Sequence, residues 1–71
     1  MTSLERRKEI KRILHLLEDK HRHGFKLMYS NLDLEKDIDL VVDEMPRKKL
    51  EWALTQCQNS YYNLFKVIKN A

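Results

Sequence analysis

Trp52 is the residue whose type and surroundings say most about what this 71-residue chain does. On a helix it sits about 200° around from Leu50 and so points away from the apolar positions. Its helical neighbours there are Lys48, Lys49, Thr55, Gln56, Asn59 and Asn63. A tryptophan in a polar, largely uncharged field has the makeup of an interface anchor, framed here by Lys48, Lys49, Gln56, Asn59 and Asn63. The competing reading is that the first helix or a loop covers the ring.

The same helix begins with Arg47-Lys48-Lys49, which suits nucleic acid as well: cations on phosphate, amides on base edges. Arg6, Arg7 and Lys11 offer further phosphate contacts, although Glu5 and Glu9 interrupt that run. Residues 38–54 can be read as a helix–turn–helix with its turn at Asp43–Pro46. Against this, the turn holds no glycine and the preceding helix is net negative. Cations at a helix N-terminus also oppose the dipole, so Arg47 and its neighbours need a partner elsewhere, either Asp43 and Glu44 or an acidic surface.

Catalytic and metal chemistry find little support. Cys57 lies amid Ala53, Leu54, Ser60 and Tyr61, without the base or cation that stabilises a thiolate. His21 and His23 point roughly 160° apart on a helix, and neither the third histidine, His15, nor a second cysteine completes a zinc set. The acids Asp33, Glu35, Asp37, Asp39 and Asp43 mimic the odd spacing of a calcium loop. That loop needs glycine at its sixth position, where Ile38 stands. The expectation is a protein that is not an enzyme and takes no cofactor or metal.

The elements that position these residues follow from composition. Eleven Leu, four Ile and three Val are too many for a disordered chain. One Gly and one Pro are too few for the many turns of an all-β fold. The longest apolar run, Leu40-Val41-Val42, falls far short of the ~18 residues of a membrane span, and no secretory signal pattern stands at the N-terminus. A single cysteine makes no intrachain disulfide and suits a reducing, cytoplasmic setting. Charge divides the chain in three. Residues 1–29 hold eight cations against four acids, residues 30–45 one against six, and residues 46–71 five against one.

The periodicity predicts a single all-α domain over residues 1–71, a three-helix bundle of approximately 3–29, 32–45 and 46–69. Thr2 and Glu5 have capping-box spacing ahead of the stripe Ile10, Ile13, Leu14, Leu17 and His21. That helix either ends at Gly24 beneath Lys20–His23 or continues, whole or slightly broken, through Phe25 and Met28 to Tyr29. If it continues, Gly24 admits a close neighbour. Ser30 or Asn31 caps a second helix with Leu34, Ile38, Val41, Val42 and Met45 on one face. Pro46 opens a third, with Leu50, Ala53, Leu54, Cys57, Tyr61, Leu64, Phe65 and Ile68 in one stripe. Leu4, Leu16, Leu27, Leu40, Trp52, Tyr62 and Val67 cannot all face so small a core, so a homodimer is expected. The functional expectation is a protein-binding regulator, inhibitor or adaptor; the alternative is a nucleic-acid-binding regulator using the third helix and the basic first helix.

Overall fold

In the computed structural model, which describes the backbone of residues 1–70 and the side chains of residues 1–63, the Thr2–Glu5 capping box is formed. The Thr2 hydroxyl accepts from the Glu5 amide at 3.1 Å, and the Glu5 carboxylate accepts from the Thr2 amide at 3.3 Å. These hydrogen bonds from Thr2 hold the Glu5 carboxyl below the usual glutamate range. Helix α1 then runs Ser3–Leu16, followed by α2 (Asp19–Tyr29), α3 (Ile38–Glu44) and α4 (Leu50–Asn70). A single 3-10 turn, Arg47–Lys49, leads into α4, and no strand occurs among the described residues.

Among the described residues the chain is therefore all-helical, as the periodicity predicts, but the α-helices are four and their boundaries differ from 3–29, 32–45 and 46–69. The first expected helix breaks at Leu17 and Glu18, both in extended backbone, rather than at Gly24. The break lets Leu17 stay buried while α2 leaves in a new direction. Arg22, on α2, reaches back and donates to the carbonyls of Leu14 at 2.6 Å and Leu17 at 2.5 Å, while also pairing with Asp19. A cation thus does sit over terminal carbonyls, but those of the preceding helix. Gly24 lies inside α2, and a Cβ placed there would meet nothing within 4 Å, so no neighbouring helix approaches it.

The second helix starts at Ile38, six residues later than the pattern suggests. A helix through Asp33, Glu35, Asp37 and Asp39 would set Asp33 against Asp37 and Glu35 against Asp39 at the repulsive i,i+4 spacing. The chain instead turns at Ser30–Asp33, where the Asp33 amide donates to the Ser30 carbonyl at 3.2 Å. Asn31 and Leu32 occupy positive φ there, at 55° and 68°. Asparagine tolerates that region, whereas leucine is strained in it by roughly 1–2 kcal/mol. The cap of α3 is neither Ser30 nor Asn31 but Asp37, whose carboxylate accepts from the Asp39 amide at 3.2 Å. The third helix begins as the 3-10 turn after Pro46, and its α-helical part starts at Leu50.

One buried cluster joins Ile10, Ile13, Leu14 and Leu17 of the α1 stripe to Phe25, to Ile38, Val41, Val42 and Met45, and to Leu50, Ala53, Leu54 and Cys57. Leu34, at 38% exposure, and Met28, at 59%, fall outside the core their spacing suggested. Leu64, Phe65 and Ile68 lie outside the described side chains. The polar seam between α1 and α3 is a row at four-residue steps. Arg7 donates to the carbonyls of Val42 at 2.6 Å, Asp43 at 3.1 Å and Met45 at 3.1 Å. Lys11 Nζ lies 2.6 Å from Asp43 Oδ1, and His15 Nε2 lies 2.8 Å from Asp39 Oδ1. Helix α3, the helical part of the acidic segment, is thereby laid along the basic first helix, running antiparallel to it.

Two substitutions check this packing. Leu54→Ala should lower unfolding free energy by about 2–5 kcal/mol in a denaturant titration, since it opens a cavity in a small core. Arg7→Met keeps the apolar stem but strands the α3 carbonyls, and should cost about 1–3 kcal/mol. Unchanged unfolding in either variant would mean that the buried face or the seam is wrongly drawn.

Candidate functional site

Among its described side chains, up to residue 63, helix α4 is buried on one side. Its opposite side presents Lys48 and Lys49 from the leading turn, then Trp52, Thr55, Gln56, Asn59 and Asn63, all exposed. Trp52 stands 77% exposed, and neither α1 nor a loop covers it. The ring borders an apolar depression walled by Met28 and Tyr29 of α2 and by Lys48 and Lys49. A second depression continues between the helices, lined by Lys20, His21, Gly24, Phe25 and Met28 on α2 and by Gln56, Cys57, Asn59 and Ser60 on α4, with Leu14 and Leu17 behind. Met28 borders both, so the two depressions adjoin at that residue and are taken together as the groove beside α2 and α4. The Tyr29 hydroxyl donates to Gln56 Oε1 at 2.7 Å and ties the two walls together. Burial of Tyr29, with Cys57 beside it, raises its phenol above the usual tyrosine range.

The groove's electrostatics are one-sided. Lys20, Lys48 and Lys49 line it, and no carboxylate does among the described lining residues. Its floor carries His21, whose Nδ1 is buried without a hydrogen-bond partner, and Cys57, 3% exposed. Burial pushes the Cys57 thiol up to about 11, which removes it further from nucleophilic chemistry at neutral pH.

Of the residues singled out by sequence, Lys48, Lys49, Trp52, Gln56 and Asn59 line this groove. Asn63 is exposed farther along α4 and lines neither depression. The proposed phosphate contacts do not assemble. Arg7 is held by three carbonyls and Lys11 by Asp43, both on the α3 seam. Arg6 is half-buried on α1, and Arg47 stands exposed at the turn before α4 without an acidic partner among the described residues. Sequence reasoning missed the α2 wall. Lys20, His21, Gly24 and Met28 recur at steps of one, three and four, a helical stripe in its own right, but with Met28 counted as core it was not visible as a surface. Comparison with known protein families, with curated proteins and with solved structures gives no match, so a functional reading rests on this groove.

The raised thiol has a consequence for alkaline stability. Between pH 9.0, the ordinary value, and about 11, the native chain keeps a proton that the unfolded chain has lost. Unfolding therefore becomes easier as pH rises through that window, by up to ~1.4 kcal/mol per pH unit from this group. Urea titrations of wild type and Cys57→Ala across the window should diverge in slope, with the wild type losing stability faster. Parallel slopes would show that the thiol is not buried.

Proposed function

We propose that the protein is a non-catalytic helical module that acts by binding another protein, as a regulator, inhibitor or adaptor. The observation that carries this reading is the side-by-side exposure of Trp52 and Met28 across a groove with a basic rim. Large apolar side chains left in solvent at the centre of a concave surface favour occupation, because burial of their surface stabilises the complex at about 25 cal/mol per Å². Tryptophan is the residue most enriched among anchors of this kind, and a flexible methionine beside it adapts to the shape of what docks. No helix among the described residues is long and apolar enough to cross a membrane.

Nucleic-acid binding is the second reading, favoured by exposed Arg47, Lys48 and Lys49 on the same helix as Gln56 and Asn59. The first helix gives it less support than its sequence implies, since Arg7 and Lys11 are engaged with α3.

Affinity capture from the native host, with and without nuclease and at rising salt, separates the two. A protein partner should persist after nuclease and tolerate salt, whereas phosphate-driven binding falls steeply with salt. Trp52→Ala should weaken capture by about 2 kcal/mol or more while leaving the unfolding midpoint in place. Binding that disappears with nuclease and ignores Trp52→Ala would overturn the protein-binding reading.

A further inference from the structure

Arg47, Lys48 and Lys49 have two conceivable sources of counter-charge: Asp43 and Glu44 just before them, or an acidic surface from outside the chain. The fold removes the first. Asp43 pairs with Lys11 of α1 at 2.6 Å, and Glu44 pairs with Lys36. Glu51, three residues beyond Lys48, is exposed and pairs with neither lysine. Among the described residues no ion pair involves Arg47, Lys48 or Lys49, and all three side chains are exposed. Adjacent cations repel one another, and the dipole of α4 adds to that repulsion. An anion from a partner relieves both.

The same two lysines wall an apolar depression together with Met28, Tyr29 and Trp52, and no carboxylate lines it. Lys49 also borders the neighbouring hollow, whose single acid is the already paired Glu44. The Tyr29 wall is fixed in advance. Its hydroxyl donates to Gln56 Oε1 at 2.7 Å, and its ring centroid lies 4.6 Å from that of Phe25, which is in the core. A wall already in place loses little freedom when something docks against it.

We propose that the partner's docking segment is acidic and apolar at once: a bulky apolar side chain enters beside Trp52 and Met28, and flanking carboxylates meet Lys48 and Lys49. This rests on reading the groove as a protein-docking surface and gives the partner its chemistry. Single-stranded nucleic acid could also stack on an exposed tryptophan, but its backbone carries a charge at every nucleotide and needs cations along its path. Here the cations cluster at one end. Beyond Trp52 the exposed face of α4 continues with uncharged Thr55, Gln56 and Asn59, and Met28 offers an aliphatic wall in place of a stacking one.

Selection from a randomised peptide library against the immobilised full chain tests the assignment. Enriched peptides should carry a bulky apolar residue next to carboxylates, and synthetic copies lacking tryptophan should shift Trp52 fluorescence to the blue. Trp52→Ala should weaken them by about tenfold or more. Lys48→Glu/Lys49→Glu should do the same, and peptides with lysine in place of the carboxylates should prefer that variant to the wild type. This exchange of preference separates lost charge contacts from misfolding. Trp52-dependent enrichment of neutral or basic peptides overturns the acidic chemistry alone and leaves the protein-binding reading standing. No Trp52-dependent enrichment overturns both, and Trp52-dependent binding of oligothymidylate in its place gives the face to nucleic acid. A wild type that sediments as a dimer, and that Trp52→Ala dissociates, gives the groove to a second copy and overturns the proposal.

Discussion

Everything in this fold depends on the end of a seven-residue helix. A helix as short as α3 has almost no stability of its own, since nucleation costs more than two turns of hydrogen bonds return. Its last carbonyls have only the Met45 amide, which donates to the Val42 carbonyl at 3.3 Å, as a backbone donor at the cap. The Arg7 guanidinium answers three of them at once, from a helix more than thirty residues earlier in the chain. Lys11 and His15 extend that contact along the next two turns to Asp43 and Asp39. With α3 fixed on α1, Val41, Val42 and Met45 enter the core, and the turn at Pro46 can aim α4 back across α1. Arg22 repeats the device at the α1–α2 break. Two planar cations thus do the work that glycine caps do elsewhere, in a chain with one glycine.

Much of this was legible in the sequence, and the rest was hidden for definable reasons. The core side of α4 followed from strict three- and four-residue steps at Leu50, Ala53, Leu54 and Cys57, and the start of α1 from Thr2 and Glu5. The α1–α2 break was not legible, because Ile10 through Phe25 keep helical spacing on both sides of it. Only a long-range partner, Arg22 folding back on Leu14 and Leu17, makes the interruption favourable. The turn at residues 30–37 was obscured for the opposite reason. Leu34 fits the helical stripe, and the like-charge spacing of Asp33, Glu35, Asp37 and Asp39 outweighs that single fit.

The candidate site divides along the same line. Trp52 was legible because one helix alone decides which way it points. The opposite wall was not, because placing Met28 at the surface requires knowing that α2 stands apart from α4 along the groove. Arg7 and Lys11 carry the reverse lesson. A cationic run reads as a phosphate surface when no partner is in view, yet the chain contains its own anionic counterpart at Asp39 and Asp43. The segregation of charge into basic, acidic and basic thirds was the available signal. It describes two elements that lie against each other as readily as a surface meant for something else.

Gly24 stands on the floor of the groove, with open space where a side chain would begin. In the middle of a helix, glycine is less favourable than alanine by roughly 0.5–1 kcal/mol, and nothing around it forbids the extra methyl. What the missing carbon provides is depth. A methyl at this position would enter open space between the lining side chains rather than strike either helix, and a larger side chain would fill more of that space. The width of the cleft can therefore be tuned at a single position that the fold does not otherwise constrain. That makes residue 24 a natural gauge for the size of what the cleft admits.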